Sequence, residues 1–133
     1  LKIKSAIKSG LKIIFCIGET LKERRDKKTN QILKRQIEKG LKSIKNKSKI
    51  IIAYEPVWSI GTGLIPKEAA LIQTISFIKS RFVKKYPKIL YGGSVNSSNV
   101  DYLKIIPNID GFLVGGASQN PKKFIDIIQK TII

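Results

Sequence analysis

"KIIIAYEPVWSIGTG", residues 49–63, decides how this chain is read. Its first half is apolar on consecutive positions, the pattern of a strand covered on both faces in a parallel sheet. It then ends in a carboxylate, Glu55, locked by Pro56, and runs into Trp58 and a Gly-Thr-Gly loop. A strand that serves only a core has no use for that ending, and an ordinary turn has no use for the tryptophan. Three more runs have the same form, each closing on glycine or a charged residue: "LKIIFCIGE" (11–19), "KILYGGS" (88–94) and "DGFLVGGAS" (110–118).

Helical patterns separate these runs. "TLKE", Thr20 to Glu23, fits a capping box, in which each side chain satisfies the other residue's free amide. Leu33, Ile37, Leu41 and Ile44 then recur at helical spacing. The next helix is expected to start near Pro66, since proline suits a first turn, and to bury Ile72, Ile75, Ile78 and Phe82. A short helix follows "NSSN" (96–99) with Val100 and Leu103 inward. The last begins at Asn120–Pro121, a cap followed by a first-turn proline, with Phe124, Ile127 and Ile128 inward. The order is βα repeated four times. Right-handed crossovers make that either a doubly wound sheet or part of a (β/α)8 barrel, and periodicity does not choose between them.

In α/β folds functional residues gather at the carboxyl ends of the strands. Here those ends read Gly18–Glu19, Glu55–Pro56, Gly92–Gly93–Ser94 and Gly115–Gly116. Paired glycines let backbone N–H groups approach an anion, and two such pairs after consecutive strands point to a phosphate site. "GTG" at 61–63 is no dinucleotide fingerprint, because the third glycine and the following helix start are missing. Glu55 at a strand mouth reads either as a salt-bridged structural residue or as a general base, with burial raising its pKa toward the working range. Trp58 reads either as a core residue or as the anchor of a lid, with Ser59, Gly61 and Gly63 as its small, flexible part.

Composition bounds the rest. The chain has 133 residues, 42% of them hydrophobic, which is material for about one domain. It has no run of 18 or more apolar residues and no targeting or lipidation signal, so neither a membrane partner nor a membrane location is expected. The single cysteine, Cys16, lies in "IIFCIG", where a reduced, buried thiol is expected; one cysteine excludes an intrachain disulfide framework, and with no histidine a zinc site is not expected. A cytoplasmic location follows. The net charge of +17 invites a nucleic-acid reading, yet the lysines are scattered and arginine is found only at Arg24, Arg25, Arg35 and Arg81. Nucleic acid is therefore not expected as a partner, because its recognition favours arginine's planar fork. There is no methionine, and the chain opens in what reads as a helix end, "LKIKSAIKSG", as a piece of something longer would.

"AYEPVWSIGTG", "YGGSV" and "GFLVGGAS", in this order and spacing, resemble the triosephosphate isomerase family, and "CIGETLKER" is similar to its fifth-strand segment. That enzyme is itself a standard example of a loop closing over its substrate. The resemblance covers essentially the whole of 1–133 and implies the C-terminal half of a (β/α)8 barrel, four βα units, as one partial domain. It implies interconversion of dihydroxyacetone phosphate and glyceraldehyde 3-phosphate, with Glu55 moving the proton through an enediolate. Pro56, Val57 and Trp58 match the first hinge of the lid, and Gly61 a lid amide that closes on the phosphate. Ser94, Gly115 and Gly116 match the other phosphate-binding amides. Tyr54, Glu19 and Tyr91 match residues that hold Trp58 or the lid. No metal and no organic cofactor is implied; the partners implied are triose phosphates, an N-terminal half in cis or in trans, and the family's second subunit.

The departures are as specific as the matches. The family's strand-one asparagine and lysine, its strand-four histidine and its dimer loop have no counterpart here. The lid's far end, "GTGLIPKEAA", reaches its proline early, and the bond implied from Tyr91 to that hinge falls on this altered stretch. The chain alone is thus expected to be nearly inactive, either as the complement of a separate N-terminal half or as a remnant. The alternative from another class is an inert or basic binding module without catalysis.

Overall fold

The computed structural model of the chain describes residues 2–82 and 87–132. Among them four strands form one parallel sheet: β1 (Ile13–Ile17), β2 (Ile50–Tyr54), β3 (Ile89–Tyr91) and β4 (Gly111–Phe112). Their spatial order is β1-β2-β3-β4, with no reversal. A doubly wound sheet needs a reversal and carries helices on both faces. A sequential arc with helices outside is a segment of a barrel, which resolves the ambiguity left by periodicity.

The helices are α1 (Lys2–Lys8), α2 (Leu21–Arg25), α3 (Thr29–Leu41), α4 (Glu68–Ser80), α5 (Val100–Leu103) and α6 (Pro121–Thr131). The capping box at α2 forms as read: the Glu23 amide donates to Thr20 Oγ1 at 3.3 Å, and the Thr20 amide to Glu23 Oε2 at 2.8 Å. The Thr20 amide first, and then the Thr20 hydroxyl donating to Glu23 Oε2 at 2.9 Å, lower the Glu23 pKa. Asn120 accepts from the Lys123 amide and Pro121 opens α6, again as expected. Pro66 does not open α4. The helix starts at Glu68 with Lys67 extended before it, and Pro66 is buried two residues outside.

Register sorts the strand residues into two faces. Ile17, Tyr54, Tyr91 and Phe112 form one row, and Cys16, Ala53, Leu90 and Gly111 the next. The first row faces the helices. Ile17, Ile52, Tyr54, Ile89 and Tyr91 pack there with Leu33, Ile37 and Leu41, with Leu71, Ile75 and Ile78, and with Val100, Leu103 and Ile127. Each fully buried Leu or Ile contributes about 1.5–3 kcal/mol. On α4 the buried residues are Leu71, Thr74, Ile75 and Ile78, whereas Ile72 is half-buried; Ile44 and Phe82 are buried just beyond the ends of their helices.

The second row corrects the expectation of burial on both faces. Ile14 is 47% exposed and Cys16 is exposed, with Ile51 and Leu90 half-buried. Phe124 and Ile128, read as inward, are exposed as well, and only Ile127 of that trio is buried. The cause is common to all of them. β1 and β4 are open edges, and the described residues bury Ala53 but leave most of the inner face and the groove beside β4 uncovered.

Candidate active site

The carboxyl ends of the strands bring the expected residues together, beginning with Glu55. Its amide donates to the Ile17 carbonyl at 2.8 Å, extending the β1–β2 ladder by one residue and fixing the side chain on the bare inner face. Glycines flank it on both sides. A Cβ on Gly18 would overlap the Glu55 carbonyl, and one on Gly92 would lie 2.6 Å from Glu55 Cγ. These contacts show why neither strand end carries a side chain there. Gly18→Ala is expected to cost about 2 kcal/mol, within the range for overpacking. An unchanged urea midpoint would contradict this.

The Cys16 thiol lies close enough to the Glu55 carboxylate to be influenced by it. Burial first, and then the carboxylate's proximity and charge, push the thiol up to about 11. All these causes disfavour the thiolate, so the sign is unambiguous and Cys16 is a neutral thiol at pH 7. Its alkylation rate is expected to rise with pH toward a midpoint of about 11. A midpoint at the ordinary thiol value would mean that Cys16 does not face Glu55.

Glu19 is fully buried, and a buried carboxylate needs donors. It has three. Arg24 Nη1 donates at 3.1 Å, Tyr54 Oη at 3.2 Å and Trp58 Nε1 at 3.2 Å. The Arg24 guanidinium also lies 4.8 Å from the Trp58 ring centroid, so Trp58 is held on its edge by a carboxylate and on its face by a cation. Burial, then Glu19's charge, holds the Tyr54 phenol far above its ordinary value and keeps it a donor. Pro56 is buried, Val57 is 53% exposed, and residues Val57–Ser59 form a single 3-10 turn. The Val57 amide donates to the Glu19 carbonyl at 3.0 Å. Trp58 is thus not a core tryptophan: it is half-buried and anchored at the loop's start.

A second hub gathers on Ser59, also fully buried. Its hydroxyl donates to the Leu64 carbonyl at 2.5 Å, lies 3.0 Å from Tyr91 Oη, and accepts from the Ser94 amide at 3.2 Å. The Tyr91 phenol, pushed up to about 12 chiefly by burial, therefore meets Ser59 rather than the far hinge. The Gly63 amide donates to Ser94 Oγ at 3.1 Å, tying the loop tip to the segment after β3. Gly61 and Gly63 have φ of +70° and +79°, the left-handed conformation that glycine adopts without strain.

The expected anion-binding amides differ in state. The Ser94 amide is engaged by Ser59, while those of Gly61, Gly115 and Gly116 make no hydrogen bond among the described residues. Gly115 and Gly116 are exposed, and a Cβ on either meets nothing within 4 Å. Arg24 and the Ser59 hub went unread in the sequence. The signal for Arg24 was slight: it stands one turn past Thr20, beside the carboxylate that it pairs. No group of His, Cys, Asp and Glu able to hold a metal ion exists among the described residues.

The family model described as triosephosphate isomerase matches residues 1–131. The triosephosphate isomerase of Thermodesulfovibrio yellowstonii is 46% identical over 134 residues, covering 96% of this chain and 54% of that protein. The one from Syntrophotalea carbinolica is 45% identical, with 96% and 54% covered, and the one from Candida albicans 43%, with 98% and 55% covered. The chain spans about half the length of these relatives. With a match along nearly its whole length, the chain belongs to the triosephosphate isomerase family.

Proposed function

We propose that this chain is the C-terminal half of a triosephosphate isomerase barrel and that it supplies the base, the lid and the phosphate-binding amides of that reaction. The observation that carries the reading is Glu55, fixed on the bare inner face between Gly18 and Gly92 at the foot of an anchored glycine loop. In this reading Glu55 takes the proton from the hydroxymethyl carbon of dihydroxyacetone phosphate. The electron pair passes to the carbonyl oxygen as an enediolate, and the proton returns to the adjacent carbon. The amides of Gly61, Gly115, Gly116 and, once released by Ser59, Ser94 hold the phosphate. No metal or organic cofactor takes part.

The chain carries none of the electrophiles that the family resemblance assigns to the other half. Loss of one such donor costs on the order of 10²–10³ in rate, so the isolated chain is close to silent. The partner is an N-terminal half that covers Ile14, Cys16, Ile51 and Leu90 and pairs with the open edges of β1 and β4. The test is amide hydrogen exchange with and without dihydroxyacetone phosphate. Slowed exchange at Gly61, Gly115 and Gly116 is expected. Equal rates at all three, in a chain whose β2 amides are protected, would sink the phosphate assignment.

A further inference from the structure

A parallel sheet gathers the starts of its strands at one pole, and three of the four strands here begin immediately after a lysine: Lys12, Lys49 and Lys88. Strand alternation places these lysines in line with Ile14, Ile51 and Leu90 on the bare inner face. Ile13 pairs with Ile50, so Lys12 and Lys49 stand side by side. Lys45 and Lys47 join them from the loop before β2. That loop is held by the Ser48 amide donating to Asn46 Oδ1 at 2.9 Å and the Ile50 amide donating to the Lys47 carbonyl at 3.0 Å.

The five lysines line one open cavity of about 990 Å³, together with polar and apolar residues but no carboxylate. Among the described residues none of them forms an ion pair. Lys49 alone has a side-chain hydrogen bond, to the Gly10 carbonyl at 3.3 Å. The one acid that precedes a strand, Asp110, is occupied by the Ile89 amide at 2.7 Å. Like charges gathered in a concavity focus a positive potential and raise the local concentration of anions.

We propose that this pole binds a linear oligophosphate. Five compact ammonium charges suit several phosphates in succession. The described lining holds no aromatic ring on which a base could stack and no arginine fork to read one, which favours an oligophosphate over a nucleic acid. The pole lies at the opposite ends of the strands from Glu55, so titration with tripolyphosphate and triose-phosphate interconversion fail separately.

Calorimetric titration of the 133-residue chain with sodium tripolyphosphate tests it, at low and at physiological ionic strength. The triple variant Lys12→Gln, Lys49→Gln, Lys88→Gln is expected to bind about tenfold more weakly or worse. A control with the same charge removed from exposed helix positions, Lys39→Gln, Lys122→Gln, Lys123→Gln, is expected to change binding less than about twofold. Circular dichroism confirms that each variant is folded. Equal weakening in both variants would reduce the effect to net charge and overturn the site. So would absence of binding by the unsubstituted chain, or tighter binding of duplex DNA than of tripolyphosphate through the same lysines.

Discussion

Glu55→Gln, introduced into the chain assembled with an N-terminal half, is expected to lower triose-phosphate interconversion by about 10²–10⁴, the usual contribution of a positioned general base. Glutamine keeps the side-chain volume beside Gly92, where a Cβ would lie 2.6 Å from Glu55 Cγ. Neither the strand ladder at the Glu55 amide nor the lid anchors depend on the carboxylate. The loss should therefore fall on turnover, with thermal unfolding of the assembly nearly unchanged. Cys16 supplies a second readout. Its thiol pKa is held up in part by the Glu55 charge, and that part disappears in the variant, so Cys16 alkylates at lower pH. An assembly that keeps its full rate would remove Glu55 from the chemistry.

The second large effect is on stability. Glu19→Ala leaves Arg24 facing a buried space and strips an acceptor from both Tyr54 and Trp58. Breaking a buried ion pair by removing one partner costs about 3–5 kcal/mol. The lower end, about 3 kcal/mol, is expected here, because the Arg24 side chain is 23% exposed and keeps some of its hydration. Glu19→Gln retains an acceptor for Tyr54 or Trp58 and is expected to recover part of the loss. The lid reports separately: with its edge bond gone, Trp58 should show a shifted emission and faster quenching. Urea unfolding that fails to distinguish Glu19→Ala from the parent would show that the cluster contributes no net stability.

The fold was legible where local chemistry determined it. Thr20 and Glu23 formed their box, Asn120 and Pro121 opened a helix, and Val100 and Leu103 turned inward, because caps and helical periodicity act over a few residues. What went unread depends on packing between residues distant in sequence. "IIIAY" has the consecutive apolar residues of a strand covered twice, and four of its five residues are buried, Ala53 included, whereas on the edge strand β1 Ile14 and Cys16 are exposed. Cys16 was read as buried from its apolar run, and Phe124 and Ile128 from helical spacing, yet among the described residues all three are exposed. Pro66 fitted a first turn equally well by propensity, but burial drew it into the hinge before α4.

The candidate site divides along the same line. Glu55, Trp58 and the glycine pairs stood out because no core or turn requires them. Ser59 did not, since a small residue in a glycine loop gives no sign of the bonds that its hydroxyl makes to Leu64, Tyr91 and Ser94. Arg24 was hidden for a different reason: its contact with Trp58 joins residues far apart in sequence, which periodicity does not see.

The most direct test of the account is the rate of triose-phosphate interconversion by the purified chain, alone and after mixing with the N-terminal half of a relative. Near silence alone and clear activity on mixing is the predicted result. Full activity of the chain alone, or none in a mixture shown by sedimentation to have assembled, would contradict the claim that this chain is a competent half of the barrel.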